Sequence, residues 1–201
     1  MIASVDKRFV FLSNPKTGST AVEKAFGPFA EFKVGVRPRW KHIKYDEVRR
    51  IFGEFFEEQG CQHYAIVRHP IETLLSWYRY RAREALSDPE HPFSMNYTGD
   101  IPFGQFVEEW GMDAPPPRAR VSASTDFALT RDGTIAPVNF YRYESMDTLW
   151  GVLAEHIGKT PETVEANVSP KMDVSYDPDS LAQIPRMQRA LEVYERIPFV
   201  A

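Results

Sequence analysis

Asn14-Pro15-Lys16-Thr17-Gly18-Ser19-Thr20, near the start of the chain, brings together the groups that hold an oxyanion. Lys16 supplies a full charge. Gly18 lets the backbone come close, and Ser19 and Thr20 supply hydroxyl donors. A turn of this kind running into a helix adds successive N–H groups and the positive end of a helix dipole. A second set lies between Val67 and Tyr78. Arg68 offers a planar fork suited to bidentate contacts with a phosphate, and Ser76 follows two helical turns later with a hydroxyl. The first loop does not have the triphosphate-loop order. That order, G-x-x-x-x-G-K-[S/T], puts lysine directly before the hydroxyl residue. Here Lys16 precedes Gly18, and Ser13 and Asn14 leave no early glycine.

The elements that must position these groups are legible in the hydrophobic pattern. Arg8 to Ser13 reads as a short buried strand ended by Asn-Pro. Ser19 to Phe26 carries Ala21, Val22, Ala25 and Phe26 at helical spacing and is stopped by Gly27-Pro28. Tyr45 to Phe56 reads as one helix with a single apolar stripe. Gln62 to Val67 is a second core strand, and Pro70 suits the first turn of the helix after it. Val138 to Tyr143 is a third strand, and the helix from Met146 ends at Gly158. A last helix is interrupted or started by Pro185. Between about Glu84 and Pro137 Pro, Ser, Gly and Asp dilute the signal, except for a short helix from Phe103 to Trp110. Strands alternating with helices predict an α/β fold with a parallel sheet covered on both faces. Ligands of such sheets bind at the carboxyl ends of the strands, where both anion-binding sets fall. Two such sets on one edge point to a ligand carrying two separated phosphate-like groups.

Composition narrows the field. The 201 residues suit one domain, 1–201, with a variable region at about 84–137 inside it whose loops could shape an acceptor site. A net charge of −4 argues against a general nucleic-acid binder. One cysteine, Cys61, allows no internal disulfide and suggests no thiolate metal site. No stretch has the apolar length of a bilayer span, and the start lacks the pattern of a signal peptide, which leads us to expect a cytoplasmic protein.

At these two sets the chain resembles a family. Asn14 to Thr20 is similar to the 5′-phosphosulfate loop of sulfotransferases that use 3′-phosphoadenosine 5′-phosphosulfate. Val67 to Tyr78 resembles their 3′-phosphate motif, with Arg68 and Ser76 at the family's spacing. Lys41 to Val48 and Asn139 to Met146 resemble segments of the carbohydrate-type, sulfotransferase-2-like branch. The resemblance runs from Phe9 to about Tyr194. It implies a P-loop-NTPase-like three-layer fold. It also implies direct transfer of a sulfuryl group from 3′-phosphoadenosine 5′-phosphosulfate to an acceptor hydroxyl, on a carbohydrate in that branch, with no metal expected. Lys16 would stabilise the leaving phosphate, Thr17, Gly18, Ser19 and Thr20 would hold the 5′-phosphosulfate, and Arg68 and Ser76 the 3′-phosphate. Family members take a histidine or glutamate as base. His42 matches best, with Glu31 in reserve.

Two other functions fit parts of the pattern. A small-molecule kinase or other P-loop nucleotide-binding enzyme would need the lysine order that is missing here, and a strand ending in Asp for magnesium, where Ala65-Ile66-Val67 ends in Arg68. A non-catalytic cofactor-binding relative would keep Arg68 and Ser76 without a working base. Plainer roles are expected for other residues. His69 orients its turn, His63 sits on a core strand, His156 suits a helix C-terminus, and Trp40 and Trp110 pack in the core. Arg37, Arg39, Lys41, Arg79, Arg83 and Lys171 are basic groups that could meet an anionic cofactor or acceptor.

Overall fold

The computed structural model describes residues 1–35, 37–162 and 172–201, and Lys171 and the Arg39 side chain lie outside that set. Five strands form one open sheet in the order β3-β1-β2-β4-β5. They are β1 Ile2–Ser4, β2 Phe9–Leu12, β3 Phe32–Lys33, β4 Gln62–Val67 and β5 Asn139–Arg142. β2, β4 and β5 pair in parallel, and β1 runs antiparallel to both β2 and β3. The sheet is therefore mostly parallel in strand direction, with one reversed strand near its edge. β1 makes a hairpin with β2, a feature the alternation of strands and helices does not reveal.

Helices follow the strands. They are α1 Ser19–Phe26, α2 Pro38–Lys41, α3 Tyr45–Phe52, α4 Phe55–Glu58, α5 Pro70–Arg81, α6 Phe103–Gly111, α7 Met146–Ile157, α8 Pro178–Ala182 and α9 Pro185–Arg196. The single helix expected over Tyr45 to Phe56 is two helices. Gly53 takes a left-handed φ of 61° and breaks it, which a residue with a side chain rarely does. Among the described residues no helix is long and apolar enough to cross a membrane.

The chain packs as two compact units, one of Met1–Arg68, Ser124–Asn167 and Arg196–Ala201, the other of His69–Ala123 and Val168–Glu195. The first contains the sheet. Side chains alternate across a strand. Phe9, Phe11, Tyr64, Ile66 and Tyr141 thus share one face, packed on Val22, Ala25 and Phe26 of α1 and on Leu149, Trp150 and Leu153 of α7. On the other face His63 meets the rings of Tyr45 and Phe56, at 5.3 and 6.5 Å. Helices thus cover both faces. The second unit is helical. Ile71, Leu74, Leu75 and Tyr78 of α5 pack with Phe103, Phe106, Val107 and Trp110 of α6 and with Met187 and Ala190 of α9. Trp110 is a core residue there, its indole N–H donating to the Val121 carbonyl at 3.1 Å, whereas Trp40, also expected in the core, is 40 % exposed.

Candidate anion site and base

β2 and β4 are parallel neighbours with Leu12 level with Ala65. The turn after Leu12 and the residue after Val67 therefore lie at the same end of the sheet. The Asn14 side chain fastens them. Its buried amide donates to the Ile66 carbonyl (2.9 Å) and to both the carbonyl and the hydroxyl of Ser124 (3.0 Å each). The same Ser124 hydroxyl accepts the Arg68 backbone N–H at 2.8 Å. One buried serine thus ties the first loop to the start of the second. Ser124 falls in the stretch whose pattern is weakest, and no local signal in the sequence marks it.

The loop is wound by two left-handed residues, Lys16 (φ 63°) and Gly18 (φ 71°). Alternating hands turn successive N–H groups toward one side, which makes an anion-binding concavity. Thr17 is buried, its hydroxyl donating to the Asn14 carbonyl at 2.8 Å, so its side chain closes the turn. Gly18 serves a packing role beyond the one expected. A Cβ there would lie 2.5 Å from the Met146 terminal methyl and 3.7 Å from the Tyr143 ring. α1 begins with Gly18 as N-cap, without a side-chain cap and without an acidic residue in its first turn. Its first N–H groups and the positive end of its dipole are therefore not matched by a local carboxylate.

Arg68 leaves β4 with its guanidinium 4.3 Å over the Tyr143 ring, a stacking that holds the fork flat. Ser76 lies in α5 of the second unit and is 7 % exposed.

The Lys41-His42 pair is clamped onto the first loop. The Lys41 ammonium donates to the Thr20 hydroxyl at 3.0 Å and pairs with Glu23 at 3.1 Å. Glu23 also accepts the Ser13 hydroxyl at 2.6 Å. Burial opposes ionisation of Glu23, yet its hydrogen bonds and neighbouring cations outweigh that and hold its pKa below the usual carboxylate range. His42 Nδ1 lies 2.6 Å from the Ser13 carbonyl. A carbonyl only accepts, so Nδ1 carries the proton and Nε2 of the neutral ring has the lone pair. Burial holds the pKa of His42 below its ordinary value, against the opposing pull of the Ser13 carbonyl. The ring also lines an open cavity of about 440 Å³ with Lys44, Asp46, Glu47, Leu129, Thr130 and Arg131. The walls of that cavity are joined by hydrogen bonds from Lys44 to the Asp126 carbonyl and from the Arg131 N–H to Asp46.

The other sequence candidate for a base is engaged elsewhere. Glu31 accepts the Ser4 hydroxyl (2.9 Å) and the Val5 N–H (2.7 Å). Ser4 pairs with Phe9, at the amino end of β2, so Glu31 sits at the opposite end of that strand from the loop. His63 is buried on β4, His69 packs its ring 5.3 Å from Tyr194, and His156 contacts the Lys7 carbonyl and the Tyr64 hydroxyl. Among the described residues, no group of three or more His, Cys, Asp or Glu is placed to hold a metal ion.

No protein-family model matches the chain, and no curated protein or solved structure matches it either.

Proposed function

We propose that the protein is a sulfotransferase that moves a sulfuryl group from 3′-phosphoadenosine 5′-phosphosulfate to an acceptor hydroxyl, on a P-loop-like α/β fold and in the cytoplasm. The observation that carries the reading is the joining of two anion-binding segments at one sheet edge through Asn14 and Ser124, beside a histidine whose tautomer leaves Nε2 basic. The loop Lys16–Thr20 and the start of α1 receive the 5′-phosphosulfate. Arg68 receives the 3′-phosphate, and the sequence resemblance assigns Ser76 to the same group.

In the reaction the acceptor oxygen bonds to sulfur while the sulfur–oxygen bond to the 5′-phosphate breaks. The electron pair leaves on the phosphate oxygen, where Lys16 and the helix start stabilise the growing charge. His42 Nε2 takes the acceptor proton. The cavity beside His42 has one apolar wall residue, Leu129, among charged and hydroxyl groups. Those charged and hydroxyl groups can hydrogen-bond a polyhydroxylated acceptor such as a carbohydrate.

A labelled-sulfate transfer screen over glycans, lipids and phenols tests the reading. The expected result is label on a glycan, with the rate lost in His42→Ala while binding of 3′-phosphoadenosine 5′-phosphate is kept. Unchanged transfer in His42→Ala contradicts the base assignment. Hydrolysis of ATP with magnesium, and no sulfate transfer, contradicts the whole reading.

A further inference from the structure

The second unit holds a cavity that the proposed transfer does not use. It encloses about 290 Å³ between the end of α5 and the following loop, lined by Trp77, Tyr80, Arg81, Arg83, Ala85, Leu86, His91, Phe93 and Asn96. Among the described residues its lining has two guanidinium groups and no carboxylate. Three of its side chains are large aromatic rings. Phe93 is 62 % exposed, a large apolar surface left open at the cavity wall.

The two arginines differ. Arg81 donates to the carbonyls of Pro117 (2.8 Å) and Arg118 (2.7 Å), so its donors hold the wall together. Arg83 lies 4.2 Å over the Tyr80 ring, and among the described residues it has no carboxylate partner. Stacking orients its fork and leaves the N–H edge for a planar anion. His91 adds a donor. Its Nδ1 accepts the Phe93 N–H at 3.1 Å, so Nε2 of the neutral ring carries the proton. The loop is pinned to the helix. The buried Thr98 hydroxyl donates to the Tyr78 carbonyl at 2.7 Å, and within the loop the Ser87 hydroxyl donates to the Glu84 carbonyl at 2.7 Å.

We infer that this cavity binds a small aromatic carboxylate, its ring against Phe93 and Trp77 and its carboxylate on Arg83. One fork and one imidazole N–H suit a single planar, monovalent group, and 290 Å³ suits one or two fused rings. The inference does not depend on the proposed transfer chemistry.

Titration of the full chain with 2-naphthoate, followed by calorimetry and by tryptophan fluorescence, tests this. Saturable binding is expected, displaced by benzoate and not by acetate. 2-Naphthamide, which has the ring without the charge, should bind about tenfold more weakly, as should Arg83→Ala with naphthoate. Phe93→Ala should weaken binding by several fold. Phe93 is exposed and Arg83 is half-buried, and neither belongs to the core, so the variants should keep the fold, which circular dichroism checks. The inference is overturned if naphthoate shows no saturable binding, if naphthamide binds as well, or if Arg83→Ala and Phe93→Ala bind as the parent chain does.

Discussion

In the proposed transfer His42 acts as base because of what its other nitrogen does. With Nδ1–H held by the Ser13 carbonyl, the ring offers Nε2, and burial keeps the ring neutral near pH 7. Replacing His42 by Ala should lower transfer by ~10²–10⁴. The pH–rate profile should be flat near neutrality and fall in acid, with its midpoint below the ordinary imidazole value of about 6.5. A midpoint above that value would contradict the assignment. Lys16 allows a separate test, because its backbone is left-handed (φ 63°). Lys16→Ala and Lys16→Gly both remove the ammonium, but only alanine keeps a Cβ in that region. The glycine variant should be more stable than the alanine variant by ~1–2 kcal/mol in chemical denaturation, while both lose transfer. The residue types in Asn14 to Thr20 made the loop legible as a strand-to-helix turn and a candidate anion site. Its left-handed lysine was not legible, because tertiary packing and no local preference imposes that backbone on Lys16.

Among the elements, the join between β2 and β4 matters most. Asn14 donates three hydrogen bonds from a buried amide, two of them to Ser124. Asn14→Ala strands those acceptors and should cost ~1–3 kcal/mol, read from the denaturation midpoint. Ser124→Ala removes the acceptor of the Arg68 N–H. It should weaken binding of 3′-phosphoadenosine 5′-phosphate although Ser124 need not touch it, and a binding constant equal to the parent's would remove the coupling role argued for it. β2, β4, β5, α1, α5, α6 and α7 were legible from hydrophobic period and from Pro and Gly stops. β1 and β3 were not, since three and two residues are too few for alternation to show. The hairpin between β1 and β2 turns through Arg8 at φ 56°, with no Gly or Asn to mark it. Ser124 was hidden for a different reason: its partners are 56 and 110 positions away.

Across the whole molecule, acid should weaken the fold before it protonates carboxylates. Burial lowers the pKa of both His42 and His63. Between the lowered folded value and the ordinary unfolded value, the unfolded chain binds more protons. The contribution of these two rings is therefore full above about pH 6.5 and is lost as pH falls. Urea unfolding at pH 7.5 and 5.5 should show the lower midpoint at 5.5, with a smaller difference in His63→Phe. Equal midpoints would contradict the two shifts. The α/β class was legible from the order of elements. The division into two units was not, because it depends on contacts between distant segments, with 124–167 joining 1–68. The central claim is a ligand with two separated anions, and thermal denaturation with 3′-phosphoadenosine 5′-phosphate, adenosine 5′-phosphate and magnesium ATP tests it most directly. At a hundredfold excess over Kd the first should raise Tm by roughly 5–10 °C, with little effect from the other two and a much smaller shift in Arg68→Ala. A chain that ignores 3′-phosphoadenosine 5′-phosphate, or that magnesium ATP stabilises more, would contradict the account.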